Sequence, residues 1–138
     1  MKLLALDYGQ KRTGVAVTDD MQIIASGLKT VETPTLLVFL KEYLAKNKVE
    51  TIVIGQPKYM DGKMMDVEQH IIAFIEKLKA QHPDVPVERV DERFTSKMAM
   101  QTMIDGGLKK KDRGNKALVD EISATLILQS YMESRNNR

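Results

Sequence analysis

The sequence has no cysteine, no tryptophan and only two histidines among its 138 residues. The absence of cysteine excludes disulfides, thiolate nucleophiles and zinc sites built on sulfur. Because imidazole is so scarce, any metal ion in this protein should be bound by oxygen ligands.

Long apolar runs and a strong net charge are also missing. No run is long enough to cross a bilayer, and no apolar segment with a small-residue cleavage site opens the chain, so we expect a cytoplasmic protein without a membrane partner. A net charge of +2 permits an anionic partner but does not require one. The length and the 43% hydrophobic content fit one globular domain over residues 1–138.

The most informative stretch lies at the start of the chain. A continuous apolar run over residues 3–6 ends at Asp7, and Gly9 follows two residues later. Such a run predicts a strand that is buried on both faces. A carboxylate at its end usually has a cation or backbone amides to offset its desolvation, so Asp7 is a candidate site residue. A turn-forming aspartate before glycine is an equally good interpretation of this stretch alone.

The remaining pattern predicts an α/β protein with a mixed five-stranded sheet and flanking helices. Strands over 13–18 and 23–31 follow the first with connections too short for a helix, which indicates an antiparallel meander. Strands over 51–55 and 85–90 alternate with helices, so parallel strands should lie beside the first. Helix starts are expected near Thr33, at a capping box on Asp66, near Thr95 or Ser96, and near Lys116.

Two further acids are expected to join Asp7. Glu92 follows a predicted parallel strand, and the carboxyl ends of such strands share the edge where sites form. At 100° per residue Asp120 lies on the same helix face as Ala124 and Ile127, so it would reach that edge if the last helix crosses the sheet. Clustered carboxylates repel one another unless a cation or proton is shared, which favours Mg²⁺ or Mn²⁺ and metal-assisted hydrolysis of phosphodiesters.

Ordinary structural roles compete with this interpretation. Glu92 could pair with the neighbouring Arg93, and Asp120 could form a salt bridge to a basic residue of the sheet. Basic residues that could meet phosphates are Lys11, Arg12, Arg93, Lys109, Lys110, Lys111, Arg113 and Lys116. A loop as basic as 109–116 is most often a solvated segment without a partner. Its occurrence in the same chain as a candidate acidic site is what suggests that it contacts nucleic acid.

Four motifs occur in a fixed order: LDYG with KRTGVAV (6–9 and 11–17), VIG with P and MDG (53–55, 57 and 60–62), VDERFTS (90–96), and VDEISA leading to LILQSY (119–124 and 126–131). By these motifs the chain resembles the YqgF (RuvX) family of pre-16S ribosomal RNA nucleases, small relatives of the RuvC Holliday-junction resolvases with a ribonuclease H-like fold. The resemblance implies that Asp7, Glu92 and Asp120 bind the metal. It also implies 5′-end maturation of pre-16S ribosomal RNA, with the RNA precursor or pre-ribosomal particle as partner.

Two alternatives stay open within this resemblance. A Holliday-junction resolvase acting on branched DNA would use the same chemistry, and no motif here encodes the contacts that distinguish RNA from DNA. A non-catalytic RNA-binding ribosome-assembly factor would keep the fold without cutting, although the intact set of acids disfavours it. Ser123 and Ala124 stand where the resolvases carry a second acid on the last helix, which favours one metal ion over two.

Overall fold

The computed structural model describes residues 1–59, 61–92 and 116–136. In chain order, these residues form β1 (Lys2–Asp7), β2 (Arg12–Thr18), β3 (Ala25–Glu32), a 3₁₀ turn (Thr33–Thr35), α1 (Leu36–Lys46), β4 (Val49–Gln56), α2 (Val67–Gln81), β5 (Val87–Asp91) and α3 (Lys116–Asn136). The strands form one sheet in the order β3-β2-β1-β4-β5.

The sheet is mixed, as the sequence predicts. β1, β2 and β3 form an antiparallel meander, and β4 runs parallel to both β1 and β5. Because β4 lies between these two strands, the carboxyl ends of β1, β4 and β5 share one edge. Neither Lys116–Asn136 nor any other helix in the described ranges is long and apolar enough to cross a membrane.

β1 is the central strand, and it is buried on both faces. Leu4 and Leu6 pack toward α1 and α2, whereas Leu3 and Ala5 pack toward α3. This alternation explains the continuous apolar run, since each face of the strand meets a helix layer. The helix side chains that are fully or almost fully buried in these two layers are Leu36, Leu40, Ile71, Leu78, Ala124, Ile127 and Leu128. Burial of a leucine or isoleucine of this kind contributes about 1.5–3 kcal/mol.

Close packing of α3 on the meander depends on glycine. A Cβ atom at Gly14 of β2 would overlap the backbone carbonyl of Asp120. At Gly27 of β3 an added Cβ would lie 3.2 Å from the Cβ of Glu121, which is tight but less severe. Glycine inside a strand commonly marks such an approach of another backbone. This contact brings the first turns of α3 to the carboxyl end of β1.

The third strand begins at Ala25 rather than at Ile23 as predicted. The carboxylate of Asp19 accepts hydrogen bonds from the backbone N–H groups of Met21, Ile23 and Ile24, at 3.1, 2.8 and 2.8 Å. These bonds wind residues 19–24 into a turn and lower the pKa of Asp19. The Asp19 carboxylate therefore takes the place of a neighbouring strand as the hydrogen-bond acceptor for these backbone N–H groups.

Two predicted helix starts also differ. Thr33 does not cap α1, because its hydroxyl donates to the carbonyl of Gly9 at 2.5 Å and the chain makes a 3₁₀ turn first. Asp66 makes no side-chain cap bond to α2, and its own backbone is already helical (φ −58°, ψ −32°), so the predicted capping box is wrong. The helix predicted after Thr95 or Ser96 lies within 93–115, outside the described residues.

Candidate active site

Asp7 and Glu92 lie at the shared carboxyl edge of the sheet. Asp7 is the last residue of β1, and Glu92 directly follows β5, where its N–H donates to the carbonyl of Gln56 at 3.2 Å. Gly55 of β4 lies between the two strands, and a Cβ atom there would overlap a carboxylate oxygen of Glu92. Gly55 therefore leaves the space that the Glu92 side chain occupies on its way toward Asp7.

The carboxyl groups of Asp7 and Glu92 share a hydrogen bond. Burial, and secondly the charge of Asp120, raise the pKa of Asp7 to about 7. Burial, then the charge of Asp7, raise the pKa of Glu92 to about 9. The hydrogen bond itself stabilises ionised Asp7 and protonated Glu92. At neutral pH and without a cation, one proton thus stays between two partly buried acids, as in other closely spaced carboxyl pairs.

Asp120 reaches this edge from α3. In the sheet register Asp7 pairs with Gly14, and the backbone of Asp120 packs directly on Gly14. The Asp120 carboxylate forms an ion pair with Arg12 at the start of β2, with 2.5 Å between Oδ2 and Nε. The structure therefore places the three predicted acids close enough to interact, and it also contains the salt bridge to a sheet residue that the sequence left open.

The donor set suits a hard divalent cation. Asp7 and Glu92 are carboxyl groups whose charge is disfavoured by burial, a cost that a cation between them would offset. Oxygen ligands of this type fit Mg²⁺ or Mn²⁺. In the described parts of the chain no three acidic or histidine side chains are already arranged around a common metal position. The pair Asp7–Glu92 fits such an ion, and Asp120 would complete the set by turning from Arg12.

A partly buried ion pair that the sequence interpretation missed supports this edge. Arg89 of β5 donates to the carbonyls of Ile54 and Gly55 at 3.2 and 3.0 Å, and it pairs with Glu68 of α2 at 2.6 Å. Burial would raise the pKa of Glu68, but the bonds from Arg89 and Gln56 outweigh it and lower the pKa. The pair fixes the end of β4 beside Glu92. A glutamate in the first turn of an amphipathic helix gives no sequence signal of such burial.

The predicted phosphate-contacting residues are only partly visible. Lys11 is exposed in the turn between β1 and β2, and Arg12 is held by Asp120. Lys116 begins α3, but its side chain lies outside what the structure describes, as do Arg93, Lys109, Lys110, Lys111 and Arg113. The role of this basic group stays a prediction.

The comparison with protein families gives a match over nearly the whole chain. The family described as "RuvX: Holliday junction resolvase" matches residues 1–134. The chain belongs to the RuvX family. Its match includes the segments that carry Asp7, Glu92 and Asp120.

Close RuvX relatives occur in several bacteria. A protein of Flavobacterium psychrophilum is 60% identical over 131 residues, covering 95% of this chain and 96% of its own length. One from Phocaeicola vulgatus is 60% identical over 134 residues, covering 97% of this chain and 96% of its own length. Both carry the name "Putative pre-16S rRNA nuclease".

Solved structures resemble the RuvX chain in fold. The fowlpox virus resolvase in complex with Holliday junction DNA superposes with a TM-score of 0.61 at 16% identity, covering 97% of this chain and 98% of its own. RuvC of Thermus thermophilus gives 0.57 at 17% identity, covering 96% and 97%. These neighbours confirm the predicted ribonuclease H-like fold.

Proposed function

We propose that this RuvX-family protein is a metal-dependent nuclease that hydrolyses phosphodiester bonds in the precursor of 16S ribosomal RNA. The single observation that carries the proposal is the partly buried, proton-sharing pair of Asp7 and Glu92, with Asp120 beside it, at the carboxyl edge of the sheet. Buried acids with raised pKa values at such an edge are typical of functional sites. The names of the two relatives with 60% identity also include this substrate.

All three acids are proposed ligands of the cation. Asp7 and Glu92 would hold Mg²⁺ or Mn²⁺ after loss of the proton between them, and Asp120 would supply a further oxygen. When bound, the cation would activate the attacking water and stabilise charge on the scissile phosphate. Gly55 leaves room for Glu92, and the pair of Arg89 with Glu68 keeps the end of β4 in place.

The basic residues are the proposed contacts to the nucleic-acid backbone. Lys11 lies on the turn that follows Asp7, and Arg12 begins β2 directly after it. Contacts to phosphates would orient the strand over the acids but would not by themselves distinguish sequences. Localisation in the cytoplasm, where ribosomal RNA precursors of bacteria are processed, belongs to the same proposal.

A cleavage assay on two substrates tests the proposal. Purified protein is incubated with a 5′-extended 16S ribosomal RNA precursor and, separately, with a four-way DNA junction, in Mg²⁺, in Mn²⁺ and in excess chelator. We expect RNA cleavage with either metal ion, none in chelator, and none by Asp7→Asn. RNA cleavage that persists in chelator would contradict the metal-dependent mechanism.

The same assay decides the second candidate function. That candidate is cleavage of branched DNA, which the description of the matching family names. Metal-dependent cutting of the four-way junction, with the RNA left intact, would replace the ribosomal substrate by branched DNA. Binding of RNA without cleavage of either substrate would leave the RNA-binding assembly factor as the better description.

A further inference from the structure

Arg12 and Asp120 form an ion pair inside the candidate site, although 108 positions separate them in the chain. The Arg12 side chain is 38% exposed, and that of Asp120 is 21% exposed. Asp120 also lies close enough to Asp7 to raise the pKa of that group. A guanidinium group therefore stands beside the acids, at a place where a bound cation would also need Asp120.

We propose that Arg12 is a positioning residue for Asp120, and that it competes with the divalent cation for this carboxylate while nucleic acid is absent. The inference rests on the proposed function, because it requires a cation at the acids. A charge-assisted hydrogen bond to Oδ2 occupies an oxygen that the cation would use. While the guanidinium group stays there, its positive charge within a few ångströms also weakens the binding of a divalent cation.

The exposure of Arg12 makes the pair reversible. With more than a third of its side chain in solvent, the guanidinium group can leave Asp120 without repacking the core. A phosphate of the substrate offers it an equally well matched partner, since the planar fork of arginine suits phosphate and carboxylate alike. Nucleic acid that binds Arg12 would remove this competing cation from Asp120, so nucleic acid and the divalent cation would favour each other's binding. Arg12 would in this way link assembly of the metal site to the presence of substrate.

A Mn²⁺ titration of the protein without nucleic acid, followed by electron paramagnetic resonance of free Mn²⁺, tests the inference. Arg12→Gln should bind Mn²⁺ about tenfold more tightly than the wild type, because Asp120 loses its competing partner. Arg12→Lys retains the positive charge and should stay near wild-type affinity.

Arg135→Gln is the matched control. Arg135 is also 38% exposed and pairs with a carboxylate, that of Glu50, but it lies fifteen residues farther along α3, or about 22 Å from Asp120. The substitution removes the same unit of charge, and it should change the affinity for Mn²⁺ by less than about twofold.

The outcomes distinguish a failure of the proposed role of Arg12 from a failure of the proposed metal site. Wild-type binding that Asp7→Asn abolishes, but that Arg12→Gln leaves unchanged or weakens, would contradict the role of Arg12 and leave the metal site intact. Equal tightening in Arg12→Gln and Arg12→Lys would also contradict competition by charge. If neither the wild type nor Arg12→Gln binds Mn²⁺, the metal site fails and the inference fails with it. Circular dichroism and thermal unfolding in chelator verify that each variant is folded.

Discussion

At the residue scale, Asp7 is where stability and chemistry conflict most directly. The strand that carries it is buried by helices on both faces, and burial raises its pKa to about 7. Near neutral pH the folded protein must therefore ionise this group at a cost that the unfolded chain does not have. The proposed divalent cation would offset this cost, which accounts for a carboxylate at the end of a hydrophobic strand.

Asp7→Asn should stabilise the metal-free protein. Asparagine retains the shape and accepts the hydrogen bond from Glu92, but it removes the charge that burial disfavours. We expect the free energy of unfolding at pH 8 in chelator to rise by on the order of 2 kcal/mol, with a melting temperature about 5 °C higher. Denaturation with urea measures the first and calorimetry the second. A lower melting temperature than that of the wild type would assign Asp7 a structural role.

The proton between Asp7 and Glu92 predicts how stability depends on pH. Both pKa values are raised on folding, from 3.8 to about 7 and from 4.5 to about 9, so the folded state holds more protons than the unfolded chain. The stability that these groups contribute is fully present below about pH 4 and is lost as pH rises through 7 to 9. In chelator, urea unfolding should show a lower free energy at pH 9 than at pH 6.

Asp7→Asn provides the control for this pH dependence. It removes one of the two groups and the charge that raises the pKa of the other, so the loss of free energy between pH 6 and pH 9 should be smaller. All other titrating groups contribute to the pH dependence of both the wild type and the variant. An equal loss in the variant would show that the pair does not set the pH dependence.

At the element scale, the position of α3 on the meander depends on Gly14. A Cβ atom there would overlap the backbone of Asp120, whereas the nearest atom to one at Gly27 is the Cβ of Glu121, at 3.2 Å. Gly14→Ala should therefore displace the first turns of α3, destabilise the protein by about 1–3 kcal/mol and reduce cleavage. Gly27→Ala, under the same helix, should cost less than about 1 kcal/mol and retain cleavage. The contrary order of effects would contradict this account of helix placement.

The elements were largely predictable because their signals are local. The double-sided burial of β1 and the short links of the meander follow from hydrophobic patterning and turn lengths alone. The errors lie at the first residues of elements, where the contacts or backbone conformation of a single residue determine where the element begins. The carboxylate of Asp19 delays β3 to Ala25, and the helical backbone of Asp66 prevents the expected capping box.

The candidate site was less predictable because it depends on contacts between distant segments. Asp7 and Glu92 could be predicted to lie close together because the carboxyl ends of parallel strands share one edge of a sheet. Helix periodicity indicated that Asp120 lies on the core-facing side of the last helix. No local pattern indicates that Asp120 pairs with Arg12, 108 residues away. The support that Arg89 and its partner on α2 give to the end of β4 follows only from the sheet register and from helix docking.

At the scale of the whole molecule, positive charge is the proposed means of holding nucleic acid, because the net charge is only +2 and local basic groups must supply the attraction. Substituting Lys109 and Lys110 together by glutamine should weaken binding alike for different RNA sequences. The slope of log affinity against log salt concentration should become shallower by about two units. Fluorescence anisotropy at several salt concentrations measures this slope. An unchanged slope would mark these lysines as solvated residues without phosphate contacts.

The most direct test of the central claim is the rate at which Glu92→Gln cleaves the 5′-extended 16S ribosomal RNA precursor in Mg²⁺. Glu88→Gln is its control, because Glu88 lies four residues earlier, at an exposed position of β5. We expect Glu88→Gln to cleave at the wild-type rate and Glu92→Gln to be at least about a hundredfold slower, the size of loss expected when charge stabilisation at a reacting phosphate is removed. Cleavage by Glu92→Gln at the rate of Glu88→Gln would contradict the proposal that Asp7, Glu92 and Asp120 form the catalytic metal site.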